Sequence, residues 1–303
     1  MQKPELSIII ISYNTAKITV DAIKSIIESL DKSQLNYEII VIDNNSSDGS
    51  VDALEKIKNQ ISKIKNTNQI LKIIKNKENK GFGRANNQAV AEAQGKYILL
   101  LNSDIVVLDN AIKKLLDFYK HNDNQIHFLG GKLFNKDMTP QPSCGPFYTL
   151  PVIFAALFLK GDYWGLTRYS PNNLKKIDWV SGACILTKKE YYKKIGGFDE
   201  EIFMYMEEID LLYRAKLKKY QTYFYPQAPF IHLGFASSGS KSAPIINVYR
   251  GFLYLYKKHF PGLSLFFLKI LLKLKARVAI FIGKITQNSY LCLLYTSPSP
   301  RDS

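Results

Sequence analysis

The chain has 303 residues, 46% of them hydrophobic, which is enough for one large domain or for one domain with an extension. Its formal charge of +15 points to an anionic partner: nucleic acid, a lipid surface or a phosphorylated substrate. There is no basic, Ser-rich or Gly-rich tail of the kind that coats nucleic acid, so nucleic acid is set aside. The three cysteines, Cys144, Cys184 and Cys292, are too widely spaced for a metal site and suit a reducing compartment.

Met1 to Glu5 lead directly into a strand-like run, which is not the pattern of a signal peptide, so a cytoplasmic location is expected. Leu6 to Ile11 is a β-branched apolar run and predicts a buried strand. From Thr15 an amphipathic helix is expected, with Ile18, Ala22, Ile23, Ile26, Ile27 and Leu30 on one face. Tyr37 to Ile42 predicts a second strand. It ends in the polar cluster Asp43 to Ser50, where Ser50 can cap a helix running to about Ile64. Ile70 to Lys75 reads as a third strand, Asn79 to Gly83 as a turn, and the Ala-rich stretch to about Ala93 as a helix. Tyr97 to Leu101 predicts a fourth strand, ending abruptly in Asn102, Ser103 and Asp104.

Strands alternating with helices through residue 120 mean βαβ units and a mainly parallel sheet. Right-handed crossovers put the strand-end loops on one rim. Ser12 to Asn14, Asp43 to Asp48 and Asn102 to Asp104 should therefore converge on one crevice. Beyond residue 120 the pattern changes. A strand is expected around Ile126 to Leu129, turns over Gly131 to Pro146, and a short apolar run at Leu150 to Leu159. Asp178 to Thr187 is strand-like, Lys188 to Ile195 and Glu207 to Lys218 are helical, and Thr222 to Tyr225 is a short strand leading to His232. Residues 244 to about 286 read as two helices broken at Pro261 and Gly262.

Four places can carry chemistry. Asp104 at a strand end can hold Mg²⁺ or Mn²⁺ against a diphosphate, and equally can cap a helix starting near Asp109. Asp43 can accept from a base N–H or from ribose hydroxyls, and equally can form an Asx turn. Gly81-Phe82-Gly83-Arg84-Ala85-Asn86 is not a dinucleotide fingerprint, because Asn86 stands where the third glycine belongs and the glycines follow the third strand. It suits a tight turn against a ligand with Arg84 near phosphate, or a plain helix start. Glu207, Glu208 and Asp210 crowd a helix start, and Asp210 and Arg214 are spaced to pair along it. That leaves Glu207 and Glu208 to act as a base or to sit in water. His232 precedes a Ser/Gly/Lys loop, Gly234 to Lys241, and can be a metal ligand or a structural side chain.

In this order the pieces resemble family 2 glycosyltransferases, over about residues 6 to 260. The likeness extends to Trp179-Val180-Ser181-Gly182-Ala183 and Gly196-Gly197-Phe198-Asp199-Glu200. It is greatest to the bacterial rhamnosyltransferase-like branch that builds surface polysaccharides. The resemblance implies the α/β GT-A (nucleotide-diphospho-sugar transferase) fold, with a mainly parallel central sheet flanked by helices and a C-terminal helical extension. It implies a transferase domain over 1–240, with a nucleotide-sugar half at about 1–120 and an acceptor half at about 121–240. It implies that Ser12, Tyr13, Asn14, Asp43, Gly81, Gly83, Arg84, Asn86, Asn102 and Ser103 line the nucleotide-sugar pocket. Asn102 takes the place of the first carboxylate of the family's Asp-x-Asp motif. Asp104 would then hold the divalent cation, Mg²⁺ or Mn²⁺, with His232. Glu208 would be the catalytic base, and Trp179, Gly182, Glu207, Asp210 and Arg214 would lie on the acceptor side or support it.

The implied activity is inverting transfer of a sugar, rhamnose from dTDP-rhamnose, to a glycan or lipid-linked glycan hydroxyl. The alternatives are a UDP-hexose donor or a non-catalytic nucleotide-sugar-binding membrane adaptor. Residues 241–291 read as C-terminal amphipathic helices. Lys269, Lys273, Lys275, Arg277 and Lys284 interrupt the apolar run from Leu263 to Ile285, which argues against a spanning helix. Two readings remain: an interfacial helix in peripheral contact with an anionic membrane, at the inner face of the cytoplasmic membrane, or a helix packed on the domain. Residues 292–303 resemble a translated sequencing adapter, so the natural sequence is expected to diverge near Leu291.

Overall fold

The computed structural model describes residues 3–31, 33–63, 70–234 and 243–287. In chain order the first half comprises β1 (Leu6–Ser12), α1 (Ala16–Leu30), β2 (Tyr37–Asp43), α2 (Ser50–Ser62), β3 (Ile70–Lys75), α3 (Phe82–Glu92), β4 (Tyr97–Asn102), β5 (Ile105–Val107) and α4 (Ala111–His121). Then come β6 (Phe128–Phe134), β7 (Pro140–Gln141), β8 (Cys144–Gly145), α5 (Leu150–Phe158), β9 (Lys175–Ile177), β10 (Trp179–Val180) and β11 (Cys184–Lys188). The last are α6 (Lys189–Lys194), α7 (Glu207–Leu217), β12 (Thr222–His232), α8 (Ala243–His259) and α9 (Leu263–Ile285).

The chain divides into two compact units, residues 1–147 with 168–237, and residues 148–167 with 238–303. The second unit thus takes in residues 148–167, which sequence reading put in the acceptor half. In the first unit the main sheet runs β3-β2-β1-β4-β11-β6-β12-β5. β3, β2, β1 and β4 are parallel, because the crossover helices α1, α2 and α3 join each to the next in the chain. β11 then runs antiparallel to both β4 and β6, so the second half of the sheet is mixed. The first strands are buried on both faces, as their unbroken apolar runs require; Ile8, Ile9, Ile10, Ile40, Leu99 and Leu100 are fully buried.

Register explains why the loops meet. Ser12 stands level with Asp43, and Ile11 with Asn102, so three strands end on one line. β11 pairs Cys184 with Leu101, which brings the 181–183 turn beside Asn102, whose N–H donates to Ala183 O (3.2 Å). β12 pairs His232 with Ile105, and Leu233 N–H donates to Asp104 O (3.0 Å). One expected helix cap is absent: α4 begins at Ala111 after Asn110, and β5 separates it from Asp104.

Three local expectations change. The Gly131 stretch is strand, not turn: a Cβ on Gly131 would stand 2.5 Å from the Phe230 ring, so glycine lets β12 approach. Asp178 to Thr187 is two strands, β10 and β11, split by a turn. β12 runs through to His232 with a register shift between Tyr225 and Pro229, where Pro226 and Pro229 lack the ladder N–H.

The second unit is helical, and the apolar run at Leu150 is helix α5. Within it Tyr256 OH donates to Tyr148 O (2.9 Å) and Lys275 Nζ donates to Leu157 O (2.7 Å). No helix among the described residues is long and apolar enough to cross a membrane.

Candidate active site

The strand ends, the Gly81 turn, the start of α7 and the end of β12 enclose a cavity of about 540 Å³. Its rim is built from loop-to-loop hydrogen bonds. Asp48 Oδ2 accepts the Ala16 N–H (3.0 Å), so the second loop satisfies the N-terminus of α1, where Thr15 makes no cap bond. Burial pushes the Asp48 carboxyl up, but hydrogen bonds from Ser50 and Ala16 outweigh it and hold the group below its ordinary value. Asn14, left-handed at φ 52°, donates its N–H to Ser46 Oγ (2.9 Å), and its Oδ1 accepts the Ser47 N–H (2.8 Å). Asn44 ties this rim to the glycine turn: its Nδ2 donates to Asn79 Oδ1 (2.8 Å) and to Gly81 O (3.3 Å).

Gly81 has φ 79°, and a Cβ there would meet Phe203 O at 2.8 Å. Phe82 N–H donates to that same carbonyl (3.0 Å). The glycine turn and the segment leading into α7 are therefore clasped together.

At the end of β4, His232 Nδ1 donates to Gln141 Oε1 (2.7 Å). The Gln141 amide is oriented by its Nε2, which donates to Asn135 Oδ1 (2.9 Å). This fixes the tautomer and leaves His232 Nε2 an acceptor, which takes the Asn102 Nδ2 N–H (3.2 Å) and stands 3.3 Å from Asp104 Oδ1. An imidazole nitrogen and a carboxylate facing each other at that distance suit a divalent cation once the Asn102 amide, which takes the single Nε2 lone pair, turns aside. No cluster of three or more His, Cys, Asp or Glu occurs among the described residues, so a cation here would have two such ligands and otherwise water or substrate oxygens.

Opposite chemistry gathers at the start of α7. Asp210 is fully buried and accepts from Arg214 Nε (2.7 Å); Arg214 also donates to Ile195 O and to Gly197 O (2.6 Å). That clamp fixes the helix start against the Gly196–Gly197 turn. Glu207 Oε2 and Glu208 Oε2 are buried and have no hydrogen-bond partner. Burial, then the neighbouring Glu208, push Glu207 well above the carboxylate range. Burial also raises Glu208, but backbone N–H groups, including that of Gly182, and the Arg168 charge restrain the rise.

Of the residues expected in the site, Tyr13, Gly81, Asn102, Ser103, Asp104, Gly182, Glu207, Glu208 and His232 line the cavity. The others stand behind this surface. Ser12 Oγ is buried in a hydroxyl cluster with Thr15 (3.2 Å) and Thr19 (3.1 Å). Asp43 is buried, its Oδ2 accepting the Ser46 N–H (3.0 Å) while Oδ1 has no partner. Arg84, expected near phosphate, does not line the cavity: its Nε donates to Glu200 O (3.1 Å), and its guanidinium lies beside Glu200 and Glu201. Asn86 is buried and donates back to Phe82 O (2.9 Å), and Gly83 packs against Phe198. Trp179 is buried and donates to Pro146 O (2.8 Å). Sequence reading missed Asn44, Gln141 and Arg168 as individual site residues; each lines the cavity. The Ser/Gly/Lys loop past Gly234 lies outside the described residues from 235 to 242, as does the adapter-like tail.

Residues 7–196 match the family described as Glycosyl transferase family 2. The chain belongs to that family. Among curated relatives of this family, the N-acetylglucosaminyl-diphospho-decaprenol L-rhamnosyltransferase of Mycobacterium tuberculosis is 24% identical over 205 residues, covering 61% of this chain and 66% of that protein. Rhamnosyltransferase WbbL of Escherichia coli is 28% identical over 162 residues, covering 50% of this chain and 60% of that protein. The chain thus spans 60–66% of the length of these two relatives. Among solved structures, the mannosyltransferase PcManGT of Pyrobaculum calidifontis, in complex with GDP-Man and Mn²⁺, superposes with a TM-score of 0.60 at 14% identity, covering 98% of this chain and 82% of that one. A likeness at that identity shows the fold, which is GT-A.

Proposed function

We propose that this chain is an inverting glycosyltransferase. It moves a sugar, rhamnose from dTDP-rhamnose, to a hydroxyl of a glycan or lipid-linked glycan acceptor in surface polysaccharide assembly. One observation carries the reading: a single cavity is lined by an Asp104–His232 pair and by two neighbouring carboxyls, Glu207 and Glu208, each with a buried, unpartnered oxygen. The rhamnosyltransferase relatives support the donor, and the decaprenol-linked substrate in one relative's name supports a lipid-linked acceptor.

The chemistry follows from those groups. Glu208 takes the proton of an acceptor hydroxyl, and the oxygen attacks the anomeric carbon. The bond from that carbon to the diphosphate breaks with its electron pair on the diphosphate, and one displacement inverts the configuration. Asp104 and His232 are the residues that would hold Mg²⁺ or Mn²⁺, which when bound neutralises charge on the leaving diphosphate. Gln141 keeps the imidazole in the tautomer that task needs. An acceptor carried on a lipid would bring the enzyme to the inner face of the cytoplasmic membrane.

A panel of nucleotide-sugars with Mn²⁺, read by thermal stabilisation, tests the donor. dTDP-rhamnose should raise the melting temperature most. A UDP-hexose that raises it further overturns the rhamnose assignment. A donor that binds but yields no product with any hydroxyl acceptor favours the adaptor alternative.

A further inference from the structure

The second unit carries a surface that its described residues leave uncovered. On α9, Leu263, Phe266, Phe267, Ile270, Phe281 and Ile285 are exposed, Phe281 by 66%. At 3.6 residues per turn these positions share one face. Leu268, Leu272, Ala279 and Gly283 are buried and share the opposite face, which packs on α5 and α8. The helix therefore has two apolar faces, and packing within the unit uses one. At 23 residues the outer face is about 35 Å long.

Charge decides what covers it. Lys269, Lys273 and Lys284 project along one edge of the exposed face, and Asp162 is the only acid among the described residues of this unit. A second copy would bring the same cations to the same edge and repel. A sheet of lipid phosphates would attract them, with the apolar side chains sinking below the headgroups. The same unit exposes Tyr163 and Trp164, by 77% and 68%, in the turn after α5, and these are residue types favoured at a membrane–water interface. No helix among the described residues is long and apolar enough to span, so α9 would lie in the surface.

We propose that the second unit docks on an anionic lipid bilayer, with the outer face of α9 in the interface and its edge lysines on lipid phosphates. The docking rests on the transferase reading in one respect only, that a lipid-linked acceptor gives it a use.

Flotation of the full chain with vesicles tests this directly. Vesicles of phosphatidylcholine with phosphatidylglycerol should carry the protein at least about tenfold better than phosphatidylcholine alone, and added salt should weaken the difference. The double variant Phe267→Glu/Phe281→Glu should lose at least about tenfold in vesicle binding while keeping its melting temperature. Lys269→Glu/Lys273→Glu should lose the preference for phosphatidylglycerol. Failure of the wild-type chain to float with the anionic vesicles overturns the proposal. So does unchanged binding by the Phe double variant. Self-association that the Phe double variant abolishes, without vesicle binding, assigns the face to a second copy instead. Donor-induced stabilisation read on the same protein separates the two claims. Docking without any nucleotide-sugar binding would sink the transferase reading alone, and donor binding without flotation would sink the docking alone.

Discussion

The two acidic edges of the cavity are built in opposite ways. At the end of β4, Asp104 faces an imidazole whose orientation Gln141 and Asn102 determine. At the start of α7, Glu207 is buried and Glu208 half-buried beside it, each with one buried carboxyl oxygen that has no partner. Leaving a buried carboxyl oxygen unpaired is costly unless the group is neutral or has a task. The difference separates two jobs. The first edge suits a cation that stays, and the second suits a proton that comes and goes.

Glu208→Gln should break the second edge with the largest effect. General-base catalysis contributes about 10²–10⁴-fold, so transfer should fall by that factor while donor binding persists, read by product formation and by calorimetry. On the first edge, Gln141→Ala should free the imidazole to turn. Loss of such an outer partner typically costs about 10–100-fold in metal affinity, which a Mn²⁺ titration would detect. Unchanged affinity would mean that His232 is not held for a metal.

Gly81→Ala attacks the clasp between the edges. The left-handed φ and the 2.8 Å approach to Phe203 O should together cost about 2 kcal/mol of stability, seen in a denaturant melt. Glu207→Gln has the smallest effect and an unusual sign. Because folding raises the Glu207 pKa, its contribution to stability is fully present below about 4.5, and is lost as pH rises through the higher folded value. The glutamine variant should therefore gain on the wild type toward neutral pH. Because Glu207 is still protonated where Glu208 ionises, the acid limb of the pH–rate profile should stay in place in the Glu207→Gln variant.

Much of this site is legible in the chain itself, and the physical reason is periodicity. Asn102 to Asp104 stand out because a run of buried strand residues stops at polar ones. Glu207 and Glu208 stand out because Asp210 and Arg214 pair along the helix and leave them over. Arg84 and Asn86 mislead for the converse reason. Their spacing suits a ligand turn, yet their hydrogen bonds go to Glu200 and Phe82, a matter of tertiary packing that local sequence cannot show. Gln141 and Arg168 come from stretches with no repeating pattern, so only the fold brings them to the cavity. The outer face of α9 is intermediate. Its apolar and basic pattern is readable, but which of two apolar faces is buried depends on α5 and α8.

The most direct test sets the edges against each other in one experiment. dTDP-rhamnose is titrated with Mn²⁺ into the wild type, Asp104→Ala and Glu208→Gln, and transfer to a lipid-linked glycan is measured on the same samples. The account predicts that Asp104→Ala loses donor affinity, whereas Glu208→Gln keeps it and loses transfer. Near-normal transfer by Glu208→Gln, or unchanged donor affinity in Asp104→Ala, would contradict it.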